Sequence, residues 1–265
     1  MTPYFSGQKL YGDDFNLDQL KEWYDKEEEG YSSMGAADRE NYQYEYHALN
    51  KRLLFSHLTS KTFENVLGFG SAYGDELLPI LDQIKNITIL EPSGLLTNTD
   101  LNGIPLKYVK PSIDGNMIFQ DSEFDLIISS ASLHHVANVS KIISEFYRCL
   151  KPGGFVLIRE PVVTQGDWRT PRKGLTPCER GVPIKLFDSI VGKAGFQIYK
   201  RIKYDFPLTK RLKIFTRKPI YNSNLAVTID QLFSFFFQWN YHYHPTWGWQ
   251  KIQPASVAYV LRKIK

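Results

Sequence analysis

The segment VLGFGSAYG (66–74) constrains this chain more than any other. An apolar run of strand character ends in a glycine-rich turn, and DELLPILDQI (75–84) continues with helical spacing, Pro79 falling in its first turns. A strand that passes into a helix through glycines lets the backbone approach a ligand closely and leaves unpaired N–H donors at the helix start. The same alternation then repeats. NITILEP (86–92), IPLKYV (104–109), FDLIISS (124–130), FVLIREP (155–161), QIYKRIKY (197–204) and ASVAYVLRK (255–263) read as strands. FDLIISS is apolar on both faces, as a buried parallel strand should be. NVSKIISEFYRCL (138–150), with Asn138 as its expected N-cap, and KLFDSIVGKAGF (185–196) carry the i, i+3, i+4 pattern, and KPGG (151–154) is expected to stop the first of them. Alternating elements of this kind predict βαβ units around a parallel sheet.

Two stretches stand outside this pattern. The first ~55 residues lack strand alternation and are expected to be helical. Residues 1–48 hold eleven Asp/Glu against four Lys/Arg, whereas 193–221 hold nine Lys/Arg against Asp205 alone. The basic stretch suits an anionic partner or the acidic N-terminal segment of the same molecule. Residues 205–250 are too long for a simple connection, and QLFSFFFQWNYHYHPTWGW (231–249) is the densest aromatic run in a chain that is 14% aromatic. Leu232, Phe233, Phe236 and Phe237 are expected in the core. The polar-aromatic part around Trp239, Tyr241, Tyr243, Trp247 and Trp249 is expected to line an acceptor pocket or meet a membrane interface.

Two cysteines exclude a disulfide scaffold and a four-thiolate zinc site. Cys149 is expected to be buried and Cys178 exposed. The chain begins without a signal-peptide pattern and contains no apolar run of 18, so a cytoplasmic location is expected. His242 and His244 would share one face of an extended segment, but no third ligand is evident nearby, and no metal is expected.

Glu91 lies 21 residues after Gly70, at the end of the next strand, where a carboxylate can accept two ribose hydroxyl bonds. Together with the glycine turn it argues for a nucleoside-containing cofactor. A dinucleotide fingerprint starting at Gly68 requires glycine at 73, where this chain has Tyr73. In order, VLGFGSAYG, ITILEPS, DSEFDLIISSASLHHV and FYRCLKPGGFVLIREP resemble the class I S-adenosylmethionine-dependent methyltransferases, over roughly residues 60–204 plus the last strand.

The resemblance implies an α/β, Rossmann-like fold. Its seven-stranded sheet has the last strand antiparallel and helices on both faces, and carries a helical N-terminal cap and an aromatic-rich insertion. It implies one domain over 1–265, with the cap at 1–58, the cofactor core at 59–204, the acceptor-side insertion at 205–250 and the last strand at 251–265. S-adenosyl-L-methionine is the implied cofactor. Gly68, Gly70, Ser71, Ala72, Tyr73 and Gly74 form the loop around it, and Glu91, followed by Pro92 and Ser93, holds the ribose. Ile113 and Asp114 fall beside adenine, and Ser130 and Ala131 line the methyl-transfer site. Gly68 stands where the family usually has an acidic residue, and Ala72 where it usually has glycine. Tyr31 or Tyr73 is a candidate to compensate.

For catalysis, His134 and His135 follow the fourth strand beside the expected methyl donor, where a neutral imidazole can accept a hydroxyl proton. Glu160 is the competing base or a substrate-binding carboxylate. Arg159, Arg169, Tyr241 and Trp247 are candidate acceptor contacts, and Arg172 and Arg180 could hold an anionic group. SSAS (129–132) differs from the Asp/Asn/Ser-Pro-Pro-aromatic tetrad of enzymes that methylate amino groups of adenine or glutamine, so nucleic acid is not an expected partner. The expected acceptor is a carbohydrate or glycoconjugate hydroxyl, with O- or N-methylation of another small metabolite or a lipid as the alternative. A non-catalytic cofactor-binding scaffold is the further alternative. Transient contact with a membrane surface is allowed for, and no obligate protein partner is inferred.

Overall fold

The computed structural model describes residues 1–33, 39–40, 42–59, 62–211 and 219–265, the side chains of 29–33 and 210 excepted. Three helices open the chain: α1 (Thr2–Phe5), α2 (Leu17–Ser33) and α3 (His47–Leu53). Then come β1 (Phe63–Phe69), β2 (Ile84–Leu90), β3 (Asp100–Leu101), β4 (Ile104–Val109) and β5 (Phe124–Ser130). They are followed by α4 (Val139–Cys149), β6 (Leu150–Pro161), α5 (Ile184–Ala194) and β7 (Gln197–Tyr204). Helices α6 (Pro207–Arg211) and α7 (Asn224–Phe237) precede β8 (Ser256–Arg262).

The strands form one sheet in the order β3-β4-β2-β1-β5-β6-β8-β7. β4, β2, β1, β5 and β6 are mutually parallel, and β8 runs antiparallel between β6 and β7. This is the expected seven-stranded arrangement with one addition, the two-residue β3 that pairs with β4 at the edge. Period-two alternation builds a core on each face. Val66, Leu126, Ile128 and Leu157 pack on the side of α3. Leu67, Ile127, Val156 and Ile158 pack on the side of α4 and α5. The order reverses between β1 and β5, so the crevice for a ligand lies at their carboxyl ends.

Local expectations fail where tertiary contacts override them. Residues 75–83 form a 3-10 helix rather than an α-helix, broken at Ile80 after the proline. KPGG is already part of β6, tied to the last strand by Gly153 N–H donating to Lys263 O at 2.7 Å. Asn138 takes the expected N-cap position of α4 but without a side-chain cap; Asp13 near the N-terminus takes the Ser140 amide at 2.7 Å instead. Leu232 and Phe236 of α7 are exposed rather than in the core, while Phe233 and Phe237 are half-buried against Phe206. Cys149 is buried, and Cys178 is half-buried rather than exposed, its thiol pushed up to about 11 by desolvation. No helix among the described residues is long and apolar enough to cross a membrane.

Candidate functional site

The turn after β1 makes its bends with Gly70 (φ +61°) and Gly74 (φ +80°), conformations that glycine adopts without strain. A Cβ on Gly70 would stand 2.6 Å from Ser132 Oγ, so this loop is packed directly on the turn that follows β5. Ala72 holds φ +45° without the freedom of glycine. The strained loop is pinned from both sides: Ala72 N–H donates to Glu91 Oε2 at 3.1 Å, and the Tyr108 hydroxyl donates to Ala72 O at 2.9 Å. The other oxygen of Glu91 accepts the Ser93 amide at 3.1 Å. Burial pushes the Glu91 carboxyl up, and the two amides partly offset it. Pro92 is exposed beside it. Ile113 is exposed, and Asp114 is held low by the Asn116 amide and the Ser112 hydroxyl within its own turn.

At Gly68 the structure explains what the sequence left open. A Cβ there would meet Ser71 Oγ at 2.5 Å, and that hydroxyl donates to Glu76 Oε1. Glu76 is buried, and desolvation raises its carboxyl. A carboxylate therefore does stand beside the glycine turn, contributed from eight residues further on. Near it, the buried Tyr73 hydroxyl on the loop and Nε of Arg159, which acts through space on Glu76, have no hydrogen-bond partner. Orphaned buried polar atoms beside a glycine-rich turn suit a polar ligand, so the residues present fit the cofactor. Tyr73 is roofed by the N-terminal cap, where Arg39 lies 4.6 Å over its ring and pairs with Asp75 at 2.7 Å. The Tyr31 side chain lies outside the described residues.

Ala131 (φ +58°) turns the chain out of β5 into a single 3-10 turn, Leu133–His135. Glu160, fully buried at the end of β6, caps that turn. It accepts the amides of Ser132 and Leu133 at 2.8 Å each and of His134 at 3.3 Å, and its Oε2 pairs with His134 Nδ1 at 2.7 Å. This fixes Glu160 as the support of the histidines rather than a group open to substrate. His135 Nδ1 pairs with Glu27 Oε2 of α2 at 2.7 Å, and the two imidazole centroids are 4.0 Å apart. Burial and the neighbouring imidazole lower the His135 pKa. Burial opposes the charge of Glu27, but bonds from His135, Thr176 and the Cys178 amide hold its carboxyl low. Glu179 completes the group, its Oε1 lying 3.6 Å from His134 Nε2.

The candidate acceptor residues are dispersed. Arg159 lies on the opposite face of β6 from Glu160, bonded to the hydroxyls of Tyr44 and Tyr204 and 4.2 Å from the Tyr46 ring centre. Arg169 is exposed and paired with Asp167, which it holds down to about 2. Arg172 and Arg180 spend their N–H groups on backbone carbonyls, Arg180 joining Tyr11 to His134 and Ala137. Tyr241 packs by donating to Val162 O at 2.7 Å, and Trp247 is exposed. His242 and His244 bond separately, to Asn240 O and Thr164 Oγ1, and do not converge. Sequence reasoning missed Glu27, Glu76 and Glu179. Only Glu179 carried a signal, its place beside Arg180 in TPCERG.

Residues 67–158 match the profile of a methyltransferase domain. An uncharacterized methyltransferase of Bacillus subtilis, YbaJ, is 29% identical over 105 residues, which cover 37% of this chain and 41% of that protein. A 77-residue stretch is 30% identical to the hybrid PKS-NRPS synthetase ucsA of an Acremonium species, 29% of this chain and 2% of that one. The chain thus spans less than half the length of either curated relative. Among solved structures, an S-adenosylmethionine-dependent methyltransferase of Leishmania major superposes with a TM-score of 0.57 at 13% identity, over 94% of this chain and 87% of that one. The cyclase SpnF superposes at 0.55 and 16%, over 94% and 97%. These likenesses show the fold. Residues 67–158 are thus similar to a methyltransferase domain, on a fold shared with S-adenosylmethionine-dependent methyltransferases, whose cofactor is S-adenosylmethionine.

Proposed function

We propose that this protein methylates a hydroxyl of a carbohydrate or glycoconjugate, bound between the Leu133–His135 turn, the loop 162–183 and the N-terminal cap. The observation that carries the reading is the histidine–carboxylate cluster at 134, 135, 27 and 179, set on the turn whose Ser132 touches the glycine loop. When bound, S-adenosylmethionine would supply an activated methyl group on a sulfonium centre, with S-adenosylhomocysteine as the leaving group. The residues fitted to hold the cofactor are Gly70, Ala72 and Gly74 along the loop, Glu91 at the ribose and Glu76 for its amino group. The cluster orients the acceptor hydroxyl and takes up its proton; positioning supplies much of the acceleration because the donor is already activated. The aromatic insertion supports an acceptor role, since Tyr243 and His244 brace the loop 162–183 through Gly181 O and Thr164.

A second observation bears on where the acceptor is met. Leu225, Leu232, Phe235 and Phe236 of α7 and the following Trp239 are exposed beside the basic strand β7, whose Lys203 donates to Gln238 O. An apolar, aromatic face next to lysine and arginine suits the surface of an anionic membrane, and favours an acceptor carried there. Flotation with phosphatidylglycerol vesicles tests this point. The activity itself is tested by calorimetric titration and by turnover to S-adenosylhomocysteine on a panel of hydroxylated acceptors. His135→Ala is expected to lower turnover at least tenfold with cofactor affinity nearly unchanged. Tight binding of NAD(P) with none of S-adenosylmethionine would sink the assignment.

A further inference from the structure

We propose that His134, His135 and Glu179 form a binding site for a divalent transition metal on the acceptor side of the cofactor crevice. One ring nitrogen of each histidine and one carboxylate oxygen of Glu179 lie within 4.8 Å of one another, two of the three residues buried. The 3.6 Å between His134 Nε2 and Glu179 Oε1 is close to the ~3.4 Å that separates two ligands held about 2.1 Å from one ion.

The surroundings carry the argument further than the three ligands do. A metal-binding histidine characteristically hands its other nitrogen to a carboxylate, which fixes the ring and raises its basicity. His134 does so here, its Nε2 facing Glu179 and its Nδ1 paired with Glu160 at 2.7 Å, and the His135 ring is braced through Nδ1 by Glu27 at 2.7 Å and Thr176 Oγ1 at 3.1 Å. Glu179 is braced in turn by Gln165 Nε2 at 3.0 Å and the Thr176 amide at 3.2 Å. The carboxylates of Glu27, Glu160 and Glu179 are buried together, and among the described residues none of them pairs with a lysine or arginine. Arg172 and Arg180 run close by but direct their N–H groups to carbonyls. Arg172 acts through space on Glu179 and Glu27, and Arg180 on Glu27, but neither bonds a carboxylate; a divalent ion between the two imidazoles and Glu179 would add a directly ligated positive charge to carboxylates that are costly to bury. Two imidazoles favour zinc, iron, nickel or copper over magnesium and manganese.

The inference rests on the proposed methyl transfer only for its consequence. An acceptor hydroxyl completing the coordination sphere loses its proton more readily, to one of the cluster carboxylates, as its oxygen takes the methyl group.

The test uses full-length protein stripped with chelator and titrated with Zn²⁺, with Co²⁺ absorption as the reporter of imidazole ligation. One equivalent is expected to bind, with visible Co²⁺ bands in the wild type. Affinity should fall at least 100-fold in Glu179→Gln and His135→Asn, and 10- to 100-fold in Glu27→Gln, which touches no ion directly. Absence of stoichiometric binding to the wild type, or unchanged affinity in folded Glu179→Gln, overturns the site. S-adenosylmethionine titrated into the same samples separates the two claims. Metal binding without cofactor binding leaves the site and removes the methyltransferase reading; turnover that survives chelation without bound metal does the reverse.

Discussion

The turn after β5 and helix α7 break the ordinary rule of burial in opposite directions. The first gathers three buried carboxylates, the buried His134 and the half-buried His135, whereas the second turns Leu225, Leu232, Phe235 and Phe236 to solvent and buries Asp230 and Ser234. Each exception is held in place by hydrogen bonds. Glu160 caps the turn with four of them, and Asp230 anchors α7 by accepting the amides of Asp205 and Phe206 at 2.9 and 2.8 Å. A fold tolerates such inversions where something outside the chain completes them. The proposed acceptor site lies at the polar interior and the proposed membrane contact at the apolar exterior, so the two can be tested separately.

The comparison breaks first at Glu160. Truncation to Ala removes the acceptor of three amides and leaves the His134 ring without its partner in a buried place. Loss of one member of a buried charged network costs roughly 3–5 kcal/mol, so Glu160→Ala should lower unfolding stability by about that much in urea. A change below ~1 kcal/mol would mean that the turn does not depend on this cap.

Glu76 sharpens the polar half. Its folded pKa is raised, so the stability it contributes is complete below the unfolded value near 4.5 and is lost as pH rises through the folded value. Glu76→Gln removes that loss. The variant should therefore melt higher than wild type at neutral pH and lose this advantage below pH ~4.5. If the carboxylate also meets the cofactor's amino group, the same variant should bind S-adenosylmethionine about tenfold more weakly, which corresponds to ~1.4 kcal/mol. Methylthioadenosine, which lacks that amino group, should bind both proteins alike; equal weakening of both ligands would make Glu76 purely structural.

Ala72 predicts a smaller effect. A left-handed backbone at a residue with a Cβ costs roughly 1–2 kcal/mol, and glycine adopts it freely. Ala72→Gly should gain up to ~1 kcal/mol after its greater unfolded-state entropy is counted. Thermal unfolding that falls instead would show that the methyl group packs usefully.

These cases also show what was legible beforehand. The sheet was readable because a buried parallel strand is a continuous apolar run, as FDLIISS is in β5, while the exposed edge strand β7 was readable from the alternation of QIYKRIKY. The glycine loop and Glu91 were readable because their roles depend on local spacing. Glu27 and Glu179 were not, since only packing of α2 and the loop 162–183 brings residues 108 and about 45 positions away onto one turn. For α7 the helical stripe was visible but its direction was not. Periodicity finds two faces, and the partners of Asp230, which lie 24 and 25 residues upstream, decide which one turns inward.

That last point carries the mildest and most discriminating prediction. Phe235 and Phe236 are 66% and 59% exposed, so replacing both with Ser removes little buried area. Surface changes of this kind stay within about 0.5 kcal/mol, and Phe235→Ser/Phe236→Ser should unfold in urea almost as wild type does. Binding to phosphatidylglycerol vesicles should nevertheless fall several-fold, and wild-type binding should weaken with added salt because β7 contributes lysine and arginine. A loss of several kcal/mol would place these rings in the core after all. Unchanged stability with unchanged vesicle binding would leave the exposed face without a lipid role and point to a protein partner, since an apolar stripe this extensive is rarely left facing water.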